Sequence, residues 1–367
     1  MGFMSPSGLR RQIGQLAFLG FNGTTVPVEL RSLAREFDIG GVVLFARNVD
    51  GPEQVAELAF EAARLVPETP LWVAVDQEGG RVARLRRPFT EWPPMAALGR
   101  SGNPDLAARF GRALARELRS VGVSLDFAPV VDVLTQEKNP AIGDRALSGN
   151  PEKVATMATA LIEALQSEGV AGCAKHFPGH GDTSVDSHLE LPLVEHPPDR
   201  FDQIDFVPFR AAIRADVASI IVAHLFVPAF DEDVPASLSR RVVTQELRTR
   251  LGFENLILTD DLGMKACAAK YPPAIAAVKA VAAGHDGVLL CDPNPGQQAA
   301  ALEALVHALE DGTLSYSQVE SSVARHARLK AIFVRRGDEA RRPAHAWRQV
   351  VGCEAHQSIA AEMKAFV

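Results

Sequence analysis

The densest group of reactive side chains occupies residues 175–188, KHFPGHGDTSVDSH. Pro178 and Gly179 constrain the backbone there, which is how a loop holds polar groups in place. Asp186 precedes His188 by two residues, so its carboxylate can accept the Nδ1–H of that imidazole and leave Nε2 facing a ligand. Because a free histidine has a pKa of about 6.5, His188 can donate and accept protons near neutral pH. The pair is our candidate for general acid–base chemistry.

Two other interpretations of this segment are open. In the first, the loop is structural and its histidines are satisfied by hydrogen bonds. In the second it binds a metal ion, because His176 and His180 have the spacing of helical ligands and His188 can complete the set. Pro178 and Gly179 disfavour a helix, and no acidic or cysteine ligands join the histidines, so metal binding is the weaker of the two alternatives.

A second candidate site follows the apolar run LILT, where Asp260 and Asp261 end a predicted strand. Neighbouring strand residues point to opposite sides, so we expect at most one of these carboxylates to face a cavity at the strand end. A carboxylate in that position can attack an anomeric carbon and form a covalent intermediate. Spacing alone does not choose between the two residues, and helix capping by both is the alternative.

Two further segments suit recognition of a polyhydroxylated ligand. VDQEGGRVAR contains Asp76, a glycine pair and Arg84, and NPAIGDR contains Arg145. Charged hydrogen bonds to sugar hydroxyls contribute roughly 1.5–3 kcal/mol each and orient the ring. Ion pairing within the protein explains both segments equally well. His224 is either a site residue or a buried structural histidine.

The elements that must position these residues are short, continuous, β-branched apolar runs, as expected for strands covered on both faces. Eight such runs occur, at residues 15–21, 41–46, 71–76, 124–131, 170–177, 218–226, 255–260 and 286–291. Amphipathic stretches separate them, and Asn103-Pro104 and Asn150-Pro151 are typical helix starts. Alternating strands and helices predict a parallel sheet, and eight strands predict a closed (β/α)8 barrel of the TIM type.

Chemistry in such a barrel is concentrated at the carboxyl ends of the strands. The polar residues at the predicted ends are Asp76, Lys175, His176, His224, Asp260 and Asp292. This agreement supports the barrel and the site together. We expect one domain over residues 1–367, with the barrel at about 10–310 and further helices packed outside it at about 313–367.

Composition limits the classes of function. With 47% hydrophobic residues, 23% charged residues and a formal net charge of -7, the chain is an ordinary globular protein that is not expected to bind nucleic acid or a membrane. Its four cysteines are too widely spaced for a disulfide framework, and Cys173 and Cys291 are expected to be buried. No secretory signal or long apolar span occurs, which predicts a cytoplasmic protein. Motifs of serine hydrolases and NTPases are absent, and we expect no cofactor and no metal.

Four motifs together resemble the β-N-acetylglucosaminidases of glycoside hydrolase family 3: VDQEGGRVARL, NPAIGDRAL, KHFPGHGDTSVDSH and LILTDDLGM. They stand in the family's order and relative spacing, and the resemblance covers about residues 10–310. It implies that Asp260, directly after a threonine, is the nucleophile. It also implies that His188 is the acid/base and Asp186 its partner. The family's sugar-binding residues fall on Asp76, Arg84, Arg145, Lys175 and His176.

The resemblance also implies a substrate. It predicts retaining hydrolysis of terminal β-linked N-acetylglucosamine by an exo-acting enzyme, with cell-wall muropeptide fragments as the source of this small carbohydrate. Some relatives with the same aspartate–histidine pair are phosphorylases, so phosphate in place of water is an alternative. Two more alternatives are a barrel that binds sugar without catalysis and a metal-dependent hydrolase.

Overall fold

The structure is a computed structural model that describes residues 6–66, 68–187, 189–334 and 347–367. Its strands are β1 (Ala17–Gly20), β2 (Gly41–Leu44), β3 (Trp72–Val75), β4 (Gln77–Gly79), β5 (Val82–Ala83), β6 (Leu125–Asp126), β7 (Cys173–Phe177), β8 (Ser219–Val222), β9 (Leu256–Asp261) and β10 (Gly287–Leu290).

The helices alternate with these strands. They are α1 (Pro6–Gly14), α2 (Val28–Phe37), α3 (Pro52–Ala63), α4 (Met95–Ser101), α5 (Pro104–Ser120), α6 (Pro151–Ser167), α7 (Pro198–Arg200), α8 (Phe206–Arg214), α9 (Lys265–Ala268), α10 (Pro273–Ala283), α11 (Pro295–Glu310), α12 (Tyr316–Phe333), α13 (Trp347–Val350) and α14 (Glu354–Lys364). Short 3-10 turns lie at Ala46–Asn48, Gly143–Arg145 and Ala236–Leu238, and π-helical segments at Phe201–Asp205 and Arg241–Arg250.

Eight parallel strands form one sheet in the order β6-β3-β2-β1-β10-β9-β8-β7. The two end strands of this order also meet, because Leu125 pairs with Ala171 and Val130 pairs with Lys175, both in parallel. The backbone N–H of Val131 donates to the carbonyl of Lys175 at 2.8 Å across this seam. The sheet therefore closes on itself, which confirms the predicted (β/α)8 barrel.

Seven of the eight observed strands are shorter than the apolar runs that predicted them, and β9 is as long as its run but begins one residue later. The difference is largest for the run at 124–131, of which only Leu125–Asp126 is regular strand. Pro129 has no N–H to give to a ladder, so the chain beyond β6 follows β7 irregularly. It still accepts two bonds from that strand, from Cys173 N to Ala128 O at 2.8 Å and from Lys175 N to Pro129 O at 3.3 Å.

Both predicted helix starts are confirmed. The side chain of Asn103 accepts hydrogen bonds from the first turn of α5, whose first residue is Pro104. Asn150 accepts one from Lys153 N at the start of α6, whose first residue is Pro151. In both helices a side-chain oxygen satisfies backbone N–H groups that have no intrahelical partner, and proline occupies a position that needs no N–H.

The carboxyl-terminal helix α12 lies across the amino-terminal end of the barrel. Its Leu329 and Phe333 pack into the same cluster as Trp72 inside the barrel. Trp72 Nε1 donates to His326 Nδ1 at 3.2 Å, so the proton of this imidazole is on Nε2, which lies 2.9 Å from the carbonyl of Asp286. Burial lowers the pKa of His326 to about 4, which keeps it neutral. With this end covered, a cavity that opens onto the barrel interior belongs at the opposite end.

Cys173 and Cys291 are buried, as expected, and all four cysteines are free thiols. In the part of the chain that the structure describes, no helix has the length and apolar character needed to cross a membrane.

Candidate active site

A cavity of about 460 Å³ opens at the carboxyl ends of the strands. The residues predicted from the sequence that line it are Asp76, Arg84, Arg145, Lys175, His176, Asp186 and Asp260. His188 lies outside the described residues. Segments that are far apart in the chain therefore meet around one space, although the roles of their side chains stay predictions.

Lys175 is the cation at the centre of the polar wall. Its Nζ lies 2.8 Å from Asp76 Oδ1 and 2.6 Å from Glu78 Oε1. The side chains of Lys175 and Glu78 are 3% and 1% exposed, so this ion pair is almost completely shielded from solvent. Burial lowers the pKa of Lys175, but the two carboxylates outweigh burial and raise it above its usual value. Lys175 is therefore an ammonium ion that is held in a fixed position.

Two arginines complete the same cluster. Arg145 binds Glu78 with both arms of its guanidinium, Nε to Oε2 at 2.8 Å and Nη2 to Oε1 at 2.7 Å. Arg84 Nη2 lies 3.2 Å from Asp76 Oδ2. Burial raises the pKa of the Asp76 carboxyl, but Lys175 and Arg84 outweigh it and lower the pKa overall. Both carboxylates are ionised, and they orient three cations around the cavity.

The glycine pair positions this cluster. Gly79 and Gly80 adopt φ of +108° and +57°, which L side chains rarely adopt, and they turn β4 back onto β5. A Cβ on Gly79 would lie 2.8 Å from the carbonyl of Pro93, and one on Gly80 would lie 2.8 Å from Pro94 Cα. The tight hairpin that begins directly after Asp76 thus requires glycine at both positions.

His176 is held by a buried carboxylate behind it. Its Nδ1 lies 2.7 Å from Asp132 Oδ2, and its backbone N–H donates to Asp132 Oδ1. The other ring nitrogen, Nε2, is 3.4 Å from Arg145 Nη2. Because a guanidinium only donates, Nε2 acts as the acceptor and Nδ1 carries the proton. The ring is thereby fixed in one tautomer, with Nε2 on the side of the cavity.

His180 anchors the loop between β7 and residue 187. Thr183 Oγ1 donates to the carbonyl of His180, so it accepts the proton of His180 Nδ1 at 2.7 Å. The second nitrogen, Nε2, is 3.2 Å from Ser187 Oγ, and Asn139 Nδ2 donates to the His180 carbonyl at 2.8 Å. Burial lowers the pKa of His180 to about 4. His180 is therefore neutral, and it lines the cavity while both of its ring nitrogens contact residues of the loop.

Asp260 and Asp261 both line the cavity. This differs from the expectation that at most one of them would, because the register between β9 and β10 shifts between Gly287 and Leu289 and the regular alternation is lost. Their surroundings distinguish them. Asp261 Oδ1 accepts the backbone N–H groups of Cys291 and Gly263 at 3.0 and 3.1 Å. Burial raises the pKa of the Asp261 carboxyl. Asp261 thus ties β9 to the neighbouring strand.

Two other predicted strand-end residues do not line the cavity. His224 is buried, with Nδ1 2.6 Å from Ser237 Oγ and Nε2 2.9 Å from the carbonyl of Asp261, so it supports the backbone beside the site. Asp292 is exposed. No cluster of three or more His, Cys, Asp or Glu suited to a metal ion occurs within the described ranges.

Two important residues were missed as site residues. Glu78 stood in a quoted motif, but nothing in the sequence showed that it, with Asp76, pairs with Lys175. Asp132 lies one residue beyond the apolar run at 124–131, at a predicted strand end, and that position was the signal that could have found it.

The floor of the cavity is apolar. Side chains of Val43, Phe127, Ile221 and Leu289 line it and belong to the cluster that fills the barrel interior. Above this floor stand the charged groups. A small number of oriented polar groups over an apolar base is typical of a small-molecule site, and it suits a ring with hydroxyl groups on its edge and apolar faces.

Comparisons with known proteins agree with this arrangement. A model of the Glycosyl hydrolase family 3 N terminal domain matches residues 8–329. A Beta-hexosaminidase of Nitrosomonas eutropha is 38% identical over 331 residues, which are 88% of this chain and 94% of that protein. Beta-hexosaminidase A of Pseudoalteromonas piscicida is 37% identical over 334 residues, 84% of this chain but only 56% of that longer relative.

A solved structure is similar over almost the whole chain. The family 3 β-N-acetylglucosaminidase from Paenibacillus sp. FPU-7 superimposes with a TM-score of 0.90 at 36% sequence identity. The match covers 97% of this chain and 68% of that one.

The Glu78 cluster makes a prediction about stability. Glu78→Gln leaves two buried cations without their shared carboxylate, so we expect the free energy of unfolding in urea to fall by about 3–5 kcal/mol. The control is Asp144→Asn, which removes the partner of Arg81 from a pair that is about half exposed. It should cost at most about 1 kcal/mol. Equal losses in the two variants would contradict a central role for Glu78.

Proposed function

Because the chain belongs to glycosyl hydrolase family 3, we propose that it is a retaining exo-β-N-acetylglucosaminidase. One observation carries this proposal above all. Asp186 and Asp260, which come from segments more than seventy residues apart in the chain, line the same cavity as the charged residues. A sugar bound there would have a carboxylate on one side and the aspartate of the acid–base pair on the other.

Asp260 is the proposed nucleophile. In the first step one of its oxygens attacks C1 of the sugar, the glycosidic C–O bond breaks and a covalent glycosyl ester forms. Asp261 is less suited to this step, because one of its oxygens is already bound by two backbone N–H groups that link β9 to residues 263 and 291. Asp260 Oδ1 also accepts a backbone N–H, that of Asp261, so the choice of Asp260 rests on the family resemblance and on the bracing role of Asp261.

His188 is the proposed acid/base and Asp186 its partner. His188 gives a proton to the departing oxygen in the first step and takes one from water in the second, so two inversions give net retention. An imidazole suits this role, because its protonated form donates in the first step and the neutral ring left behind accepts a proton from water in the second. The position of Asp186 on the cavity wall supports this assignment.

The charged cluster is the proposed sugar-binding wall. Asp76 accepts from hydroxyl groups, while Arg84, Arg145, Lys175 and His176 supply nitrogen atoms at fixed positions. Because every carboxylate of the cluster is paired with a cation, the hydroxyls of the sugar meet groups that are already oriented and need little rearrangement. Each such bond contributes roughly 1.5–3 kcal/mol.

The identity of the sugar follows from the relatives. Those compared above are named for hexosaminides or N-acetylglucosaminides. We propose terminal β-linked N-acetylglucosamine, released from cell-wall muropeptide fragments, as the substrate. The muropeptide source and the cytoplasmic location expected from the sequence stay predictions.

The experiment for this proposal is a panel of nitrophenyl β-glycosides, with and without inorganic phosphate. We expect nitrophenol release from the N-acetylglucosaminide, with free N-acetylglucosamine as the product in both conditions. Release that requires phosphate and yields a sugar phosphate would identify a phosphorylase instead. Absence of turnover at catalytic protein concentrations would favour a sugar-binding barrel.

The same panel carries a matched pair of variants. Asp260→Asn should bind the sugar product as the unmodified protein does, yet lose turnover by about 10⁴-fold or more, because the attacking oxygen is replaced. Asp261→Asn should instead lose stability, since its hydrogen bonds to the neighbouring strand are weakened. Substantial turnover by a folded Asp260→Asn protein would move the nucleophile to another residue.

His188→Ala tests the acid role through the leaving group. We expect the rate on N-acetylglucosaminides of poorly acidic alcohols to fall by about 10²–10⁴-fold, and the rate of the first step on dinitrophenyl substrates to fall far less, because that leaving oxygen needs no proton. Pre-steady-state release of the two leaving groups measures the rate of the first step on each substrate. Equal losses on both substrates would contradict the assignment.

A further inference from the structure

A second cavity lies at the other end of the barrel. It has a volume of about 420 Å³ and is bordered by the first turn of α12, the π-helical segment Arg241–Arg250 and Gly284 before β10. The described residues that line it are three arginines, four serines, a threonine, a glutamine and a glycine. No carboxylate and no apolar side chain is among them. This composition is unlike a core void, which would be lined by aliphatic groups.

Positive charge dominates this cavity. Arg240, Arg248 and Arg325 line it, and the last two contact the buried carboxylate of Asp286. Asp286 already accepts four hydrogen bonds, from Arg248, Arg325, Ser322 Oγ and Ile257 N. Among the described residues that line the cavity, three are cations and none is an anion, so positive charge is in excess there. Glu254 also acts on Arg248, at longer range.

Two of the arginines keep donors for a ligand. Arg325 contacts Asp286 through Nη1 at 2.9 Å, and the described contact of Arg240 is one long bond of 3.4 Å to the carbonyl of Ala282. Arg248 is different, because its Nη1 also donates to two backbone carbonyls. Each guanidinium has five N–H donors, so Arg240 and Arg325 retain most of theirs.

The groups beside these arginines also favour an anionic ligand. Burial, together with the cation of Arg325, lowers the pKa of Arg248 although Asp286 opposes this. Ser315, Ser317 and Gln318 stand at the start of α12, an 18-residue helix whose amino terminus attracts negative charge. An anion between these groups would relieve the repulsion between the cations.

We propose that this cavity binds a small phosphate ester of a sugar. Arginine pairs with phosphoryl oxygens through two parallel hydrogen bonds, which fits Arg240 and Arg325. Ser321, Ser322 and Gln318 already donate to groups of the protein, so what they offer the hydroxyls of the attached sugar is oxygen atoms that accept hydrogen bonds. None of the described residues that line the cavity is aromatic and able to stack on a nucleobase, which disfavours nucleotides. The volume lies within the range of about 300–1,000 Å³ that ligand sites occupy.

This site is separate from the proposed catalytic cavity. Gly284 and Asp286 precede β10, and Ile257 is at the start of β9, whereas Asp260 is near the end of β9. The two cavities therefore lie at opposite ends of the same strands. The proposal does not rest on the catalytic assignment, and phosphate bound here would not be the acceptor of a phosphorolysis reaction.

The test is calorimetric titration of the full chain with glucose 6-phosphate, inorganic phosphate and glucose, alongside thermal unfolding. We expect glucose 6-phosphate to bind and to raise the unfolding midpoint, with weaker binding of inorganic phosphate and none of glucose. Arg240→Gln and Arg325→Gln should each weaken binding on the order of 10-fold or more, as expected for a charged hydrogen bond.

Two controls locate the binding. Arg241→Gln changes the adjacent exposed arginine, which does not line the cavity, and should leave the affinity unchanged. Arg84→Gln removes a cation from the other cavity and should also leave it unchanged. The proposal is overturned by the absence of binding, by affinity that survives Arg240→Gln and Arg325→Gln, by loss of binding in Arg84→Gln, or by inorganic phosphate or glucose binding as tightly as the ester.

Discussion

The carboxylate of Glu78 is the contact on which the rest of the site depends. It is 1% exposed and binds both Arg145, which ends a 3-10 turn, and Lys175, which lies in β7. Burying charges is costly unless each one has a partner of opposite sign. Asp76 completes the pairing with Lys175, and the buried Asp132 carboxylate is bound by hydrogen bonds from His176 and from the backbone of His180. This balance allows a cavity rich in ionised groups to keep a single geometry before any ligand arrives.

The two ends of the barrel serve different purposes. At the amino-terminal end, α12 covers the interior, with Leu329 and Phe333 in the barrel cluster and His326 between Trp72 and the backbone. The carboxyl-terminal end stays open, and its apolar floor is the top of that same cluster. The packing that stabilises the barrel thus also forms the base of the cavity on which a sugar ring would lie.

The sequence predicted the barrel well because its signals are local. Continuous apolar runs indicate buried parallel strands, and asparagine followed by proline indicates a helix start. The site was predicted in outline for the same reason, since polar residues at strand ends must share one face. The partners of those residues could not be predicted. Which carboxylate meets Lys175, and that Asp261 binds the backbone of Cys291, depend on contacts between distant segments and on a register shift.

The most direct measurement is to trap the glycosyl intermediate. A fluorinated N-acetylglucosaminyl donor reacts with a nucleophile faster than the resulting ester is hydrolysed, so the sugar stays attached and peptide mass spectrometry can locate it. The account predicts one added sugar per chain, on Asp260, and none on Asp261. A label on Asp261 or on another residue, or turnover of the donor without any covalent species, would contradict it.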